Sequence, residues 1–277
     1  MTRHRDIDSP QHLDGVRAAV TGGTSGLGLA LVGELQRRGA RVAFVARTSG
    51  RVEAVARAHP GTYGIVGDLA RKEDIHRIAL QIVGNLGGLE VLVNGASSLG
   101  PTPLALLGDT ECEDFELALA TNVLGPFRLT KALLGSLTAS AREGGGSVVL
   151  NISSDAAVNA YPQWGAYGAS KAALHHMSRI WNEELAAEGV RFLSLDPGDM
   201  DTPMHALAVP DADRATLKRP EIAARELGDA IAAALLGSLR TPSMRRAASP
   251  NPSAEAARLA IGSQASPVST AVGETRR

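Results

Sequence analysis

Short apolar runs alternate with amphipathic stretches along most of the chain, and this alternation restricts the fold more than any single residue does. "VRAAVTG" (16–22), "RVAFVAR" (41–47), "YGIVGD" (63–68), "LEVLVNG" (89–95), "GSVVLNISS" (146–154) and "VRFLSLDPG" (190–198) read as strands. Helical patterns fill the intervals: 26–40, about 49–58, Lys72 to Leu86, roughly 112–140, 164–189, and about Pro220 to Leu236. Short apolar strands separated by helices of ten or more residues predict parallel βαβ units with helices on both faces. Right-handed crossovers then give an α/β doubly wound parallel sheet, a Rossmann fold of three layers in a single domain. Within 112–140 the stretch "NVLGPF" predicts a break or bend.

The ends differ in character. Residues 1–14 form a polar N-terminal tail with no apolar core, which is not the pattern of a secretory signal. Residues 15–237 carry the alternation and are expected to be the Rossmann-type catalytic domain. Residues 238–277 are rich in Ser, Pro, Ala and Arg and contain no aromatic residue. Such a segment buries too little apolar surface to offset its ordering entropy, so it is expected to be disordered. The other reading is an arm that docks on a neighbouring subunit through "AEAARLAIG".

Composition excludes several functions. With 28 basic against 29 acidic residues the formal net charge is -1, and aromatic residues make up 3%. Neither a phosphate-binding surface nor a base-stacking platform is implied, so nucleic acid is not an expected partner. The single cysteine, Cys112, permits no internal disulfide and no cysteine-based zinc site, and nothing has metal-ligand spacing. No run of about 18 apolar residues occurs, so no membrane span and a cytoplasmic location are expected.

"TGGTSGLG" (21–28) follows the first strand and opens the first helix. Glycines there permit a tight turn, and the free amides of a helix N-terminus face an anion. A tight turn without ligand has the same local pattern; at the head of an alternating chain, dinucleotide binding is the stronger reading. About 20 residues on, where NAD sites present a carboxylate, this chain has Ala46 and Arg47. The guanidinium fork of Arg47 suits a 2′-phosphate, and Thr48, Ser49 and Arg51 add donors. NADP(H) is therefore the expected cofactor, with NAD(H) possible. Arg47 as an ordinary solvated residue is the alternative.

"YGASK" (167–171) sets Tyr167 one helical turn before Lys171. Most such pairs are surface neighbours. A phenol brought from a pKa of about 10 to about 7 needs about 4 kcal/mol of preference for its anion. A cation at about 4 Å and an effective dielectric of 20 supplies that amount. Lys171 at that distance is thus expected to supply much of the shift of the Tyr167 pKa toward neutrality, with oxidised nicotinamide, also cationic, adding to it.

Together, "TGGTSGLG", Asp68 in "GDLA", "VLVNGAS" (91–97), "NVLG" (122–125), "NISS" (151–154), "YGASK" and "DPGDMDTPM" (196–204) resemble the short-chain dehydrogenase/reductase family in its single-domain form. The similarity runs from about Gly15 to Leu236. It implies a catalytic set of Asn122, Ser154, Tyr167 and Lys171. Ser154, rather than Ser153, has the family's spacing of 13 residues before the tyrosine. For the cofactor it implies Gly22, Thr24, Ser25, Gly26, Leu27 and Gly28 at the turn, with Arg47 and Thr48 beyond it. Asp68 and Leu69 would meet the adenine, while Asn94, Gly95 and Ala96 line the neighbouring strand end. Tyr167, Lys171, Pro197, Gly198 and Thr202 would hold the nicotinamide half. The resemblance also implies that Asn122 positions a water linking lysine to solvent.

Two departures stand out: "NGAS" replaces the family's "NNAG", and its glycine-ended last strand is not recognisable after Leu236. A homodimer or homotetramer is expected, the missing strand bearing on the latter. The implied function is an NADP(H)-dependent oxidoreductase moving a hydride between the nicotinamide and a ketone, aldehyde or secondary alcohol. Tyr167 is the general acid/base, and the expected partners are a small-molecule carbonyl or alcohol substrate and further copies of the chain, with neither nucleic acid nor membrane. A catalytically silent dinucleotide-sensing regulator on the same fold is the alternative, against which all four catalytic positions are occupied. The three-residue gap in "GGTSG" and the lack of a further substrate domain argue against a sugar-nucleotide epimerase or dehydratase. Ala156, Trp164, Met204 and the segment 203–219 are expected as pocket walls, His205 as a partly exposed loop residue with substrate contact as the other reading, and His175 and His176 in packing or an interface rather than metal binding.

Overall fold

Strands β1 (Arg17–Thr21), β2 (Arg41–Ala46), β3 (Tyr63–Val66), β4 (Val91–Asn94), β5 (Ser147–Ile152) and β6 (Val190–Leu195) form one sheet. Their order is β3-β2-β1-β4-β5-β6, with every neighbouring pair parallel. The computed structural model describes residues 12–239; the expectations for residues 1–11 and 240–277, including the disordered tail and the docking arm, lie outside them. Helices α1 (Gly26–Arg37), α2 (Ser49–Ala58), α3 (Lys72–Leu86), α4 (Cys112–Leu119), α5 (Gly125–Ser140), α6 (Gly165–Leu185), α7 (Pro203–Ala208) and α8 (Pro220–Leu239) complete the described chain.

The apolar runs are continuous because the two faces of each strand enter different cores. Ala18 and Val20, Val91 and Val93, and Val148 and Leu150 pack with Leu31 of α1 and Ile231 of α8. The intervening Ala19, Leu92 and Val149 pack with Ile78 of α3 and Leu129 and Leu133 of α5. The result is a three-layer Rossmann fold, as the alternation predicts.

The expected break lies in a π-helical turn over Ala120–Leu124. Gly125 follows, where a Cβ would stand 2.9 Å from the Leu69 carbonyl oxygen, and Pro126 comes next without an N–H to donate. α1 ends at Arg37, three residues before the predicted limit, and Gly39 turns the chain with φ +90. Arg38, 4% exposed, donates to Glu34 at 2.7 Å and meets Asp229 of α8 at 2.8 Å, tying the first helix to the last. Among the described residues no strand follows β6, and no helix is long and apolar enough to cross a membrane.

Strand order reverses between β1 and β4, which have crossovers on opposite sides. The loops leaving their carboxyl ends therefore diverge and open a crevice, the usual ligand position in this architecture. Thr21 and Asn94, the last residues of those strands, stand at its base.

Candidate active site

The β1–α1 turn forms the floor. Gly22 has φ +73, and a Cβ on Gly28 would collide with the Gly22 carbonyl, so both positions require glycine. α1 then starts with no side-chain cap. Its first-turn amides, Gly26, Leu27 and Gly28, have no intrahelical acceptor and face outward. Across the crevice, the Thr21 hydroxyl accepts from the amides of Gly95 (3.0 Å) and Ala96 (3.1 Å), fixing the end of β4 against the turn.

A cleft of about 630 Å³ lies above this floor. Gly22, Ser25, Gly26, Leu27, Gly28 and Gly95 line one end of it, with Pro197, Gly198 and Thr202 nearby. Ser154, Tyr167 and Lys171 line the other part. The predicted residues Thr24, Arg47, Thr48 and Asp68 are not in its wall, nor are Leu69, Asn94, Ala96 and Asn122. Arg47 and Thr48 follow β2, exposed, and neither Arg47 nor Arg51 pairs with a carboxylate among the described residues. The Asp68 carboxylate accepts from the Ala70 amide at 3.0 Å. Asn94 is buried and donates to Asn151 at 2.8 Å.

Helical spacing puts Tyr167 and Lys171 on the buried face of α6. The Lys171 ammonium donates to the Ile152 carbonyl at 2.8 Å and stands 5.4 Å from the centre of the Tyr167 ring. Trp164 meets that ring edge-on at 5.6 Å, and Leu99, Ala156, Met204 and Ala208 complete an apolar wall. Asn122 is also buried. Its amide nitrogen donates to the Ser98 carbonyl and the Ser170 hydroxyl, each at 2.8 Å, while its oxygen accepts from the Ser98 amide at 2.7 Å. Both amide hydrogens are therefore spent on protein, and the side chain braces the loop after β4 against α6.

The electrostatics of the tyrosine run opposite to expectation. Burial pushes the Tyr167 phenol up to about 12, the Ser154 hydroxyl works against the rise, and Asp196, Asp155 and Asp199 add to it. Burial also brings Lys171 down to about 8, opposed by Asp196. The argument from a charge at about 4 Å fails for two reasons. The cation is held by β5 and stands 5.4 Å from the ring centre, and burial, to which three carboxylates add, sets the direction of the shift.

Those carboxylates are the functional residues that sequence reasoning missed. Asp155 adjoins Ser154, and Asp196 and Asp199 flank the Pro197–Gly198 turn, but nothing local signals that all three face one phenol. Tyr161, whose hydroxyl donates to Asp155 at 2.6 Å, gave no signal either. His205 is partly exposed as expected, but it lies on α7 rather than in a loop and lines the cleft, its Nδ1 buried and without a partner among the described residues. The α7 cap, Thr202, accepts from the His205 amide at 3.2 Å and holds the helix there.

Known proteins resemble this chain over the same elements. The family model described as short chain dehydrogenase matches residues 17–213. A 2-(R)-hydroxypropyl-CoM dehydrogenase of Xanthobacter autotrophicus is 32% identical over 192 residues, covering 68% of this chain and 75% of its own. A glucose 1-dehydrogenase of Gluconobacter oxydans is 29% identical over 229 residues, covering 78% of this chain and 84% of its own. Among solved structures, a short chain dehydrogenase from Shigella flexneri complexed with NADP superposes with a TM-score of 0.74 at 26% identity, over 81% of this chain and 93% of that one. One from Pseudomonas syringae gives 0.70 at 29% identity, over 77% and 87%. On fold, strand order and the span of that match, the chain belongs to the short chain dehydrogenase family and is an oxidoreductase.

Proposed function

We propose that this chain is an NADP(H)-preferring reductase of a ketone or aldehyde, working reversibly on the secondary alcohol, with Tyr167 as general acid. The observation that carries the reading is the convergence of Ser154, Tyr167 and Lys171 on one cleft whose other end is an uncapped helix N-terminus.

The residues present fit a nicotinamide dinucleotide. The first-turn amides of α1 suit a pyrophosphate. Ser97, in the cleft wall, has a buried hydroxyl with no protein partner, which a bound polar group would satisfy. Gly22 and Ser25 to Gly28 would hold the pyrophosphate, assisted by Thr24. Asp68 and Leu69 would take the adenine, and Gly95 and Ala96 would flank the cofactor above Asn94. Pro197, Gly198 and Thr202 would hold the carboxamide. The unpaired, exposed Arg47 and Arg51, with Thr48 beside them, suit a 2′-phosphate and support the preference for NADP(H). The complex of the Shigella relative with NADP is consistent with it.

Reduced nicotinamide supplies the hydride. The chain's own groups do the rest. Ser154 and Tyr167 bond to the carbonyl oxygen and polarise it, and Tyr167 gives up its proton as the oxygen gains charge. A phenol raised to about 12 is protonated at neutral pH, the state an acid needs. Lys171 offsets the charge left on the phenolate and would hold the ribose hydroxyls. The apolar wall of Leu99, Trp164 and Met204 excludes water from the carbon under attack.

The test is a panel of ketones, aldehydes and secondary alcohols followed by nicotinamide absorbance with both cofactors. Turnover with NADPH exceeding that with NADH is expected for at least one carbonyl class. Binding of NADPH with no hydride transfer to any member would overturn the reading.

A further inference from the structure

After β6 the chain makes an excursion that carries α7 and returns before α8. The two ends of the excursion are stitched together. The Lys218 amide donates to the Asp199 carbonyl and the Asp201 amide donates to the Lys218 carbonyl, each at 3.0 Å. Residues 201–217 therefore form a closed loop, and its inner side gives Met204, His205 and Ala208 to the cleft wall. Arg214 spans that loop, donating to the Asp201 carboxylate through bonds of 2.9 and 3.0 Å.

The Lys218 side chain attaches this assembly to the rest of the fold. Its half-buried ammonium donates to the Pro197 carbonyl at 3.0 Å and to the Glu226 carboxylate of α8 at 2.8 Å. The Pro197–Gly198 turn lies beside it: Gly198 has φ +77, and a Cβ there would stand 3.8 Å from the ammonium. α8 is itself fixed to α1 by the core that Leu31 and Ile231 share and by Arg38. An exposed ion pair contributes little by itself. This one belongs to a cation that also satisfies a backbone carbonyl, so a single group connects the turn on one side of the cleft with the helix that begins at its glycine end.

We propose that Lys218 is a positioning residue that sets the Pro197–Gly198 turn relative to α1, so that a dinucleotide held at the glycine end presents its nicotinamide to Tyr167 in one place. The inference rests on the reading of this cleft as a nicotinamide dinucleotide site and adds to it a residue outside the cleft wall. Without the ammonium the turn is free to move. A ligand that uses the turn then bears the cost of ordering it, and a ligand confined to the glycine end does not.

The full-length protein is titrated with NADPH, followed by cofactor fluorescence, and with 2′,5′-ADP, which lacks the nicotinamide half, by calorimetry. Lys218→Met keeps the stem and deletes the ammonium. It should weaken NADPH by about five- to tenfold and leave 2′,5′-ADP within about twofold. Lys218→Arg restores the charge and the donors and should recover most of the loss. Glu226→Ala removes the outer anchor from an exposed helical position and should show the same split at about threefold. A residue that only stabilises the fold would weaken both ligands together or neither. An unsplit pair of affinities in Lys218→Met overturns the proposal, and Glu226→Ala decides in the same way if the methionine variant does not fold. Where the wild type prefers NADH, NADH and AMP take the place of the two ligands. Neither titration needs turnover. A silent carbonyl panel would therefore sink the proposed activity alone, and an unsplit pair in an active enzyme would sink this proposal alone. A wild type that binds neither cofactor would overturn the reading of the cleft and this inference with it.

Discussion

The Lys171 ammonium stands over the Tyr167 ring, 5.4 Å from its centre, yet its hydrogen bond goes to the Ile152 carbonyl of β5. The lysine is thus a buried cation held by the sheet, and burial lowers its pKa from 10.5 to about 8. That shift corresponds to about 3 kcal/mol of destabilisation by the charged form. Lys171→Met should therefore stabilise the fold near neutral pH by about 1–2 kcal/mol, the remainder being lost with the bond to Ile152. The folded lysine loses its proton near pH 8, whereas the unfolded chain keeps it until 10.5. The cost is full below about 8 and fades between those values, so the variant's advantage should shrink as pH rises. Urea unfolding near neutrality and at about pH 10 checks this, and an advantage that grows with pH would contradict it.

Tyr167→Phe removes the proton donor and little else. The rate of reduction should fall by about 10²–10⁴-fold while the affinity for NADPH stays within a few-fold. In the wild type, reduction should not lose its acid until the pH approaches the Tyr167 value of about 12. Oxidation of the alcohol needs the phenolate, so its rate should climb with pH throughout the range where the protein is folded. A flat profile for reduction beside a rising one for oxidation is the signature to look for in pH–rate profiles.

Arg47 is exposed beside the end of β2 and has no carboxylate partner among the described residues. Charge-assisted bonds to a phosphate contribute about 1.5–3 kcal/mol. Arg47→Asp should then reduce the ratio of NADPH to NADH affinity by at least about tenfold, as measured by calorimetric titration with each cofactor. A ratio that stays at the wild-type value would mean that Arg47 does not read the phosphate.

Local pattern was sufficient where local physics decides. The helix predicted over Lys72 to Leu86 spans those residues, and Tyr167 and Lys171 share a buried face because four residues make about one turn. Strands came out shorter than predicted. "YGIVGD" pairs only from Tyr63 to Val66; the Gly67 amide still bonds to the Ala46 carbonyl of β2, and the Asp68 amide turns to Asp74 of α3. What the sequence hid was collected by topology. Burial raises the Tyr167 phenol, and Asp155, Asp196 and Asp199, which come from two loops at the carboxyl edge of the sheet, add to the rise. The short α7, six residues in a segment of mixed polarity, has too weak a period to read, so the helix that carries His205 was not foreseen.

Thr21 joins fold to site through one hydroxyl. Its oxygen accepts from the Gly95 and Ala96 amides and donates at 3.3 Å to the Val93 carbonyl, all in a residue with no exposed surface. Thr21→Val keeps the shape and deletes the acceptor, leaving two amides with no partner at the base of the cleft. Each such group costs about 1–3 kcal/mol, so a loss of about 2–6 kcal/mol is expected. The urea midpoint should drop while the dependence on denaturant stays constant. Gly95 lines the cleft opposite Gly22, so the same change should weaken NADPH binding more than a remote substitution of equal stability cost. Thr21→Ser retains the hydroxyl and should recover most of both losses. If valine and serine behave alike, the bridge between β1 and the end of β4 is not what holds this wall in place.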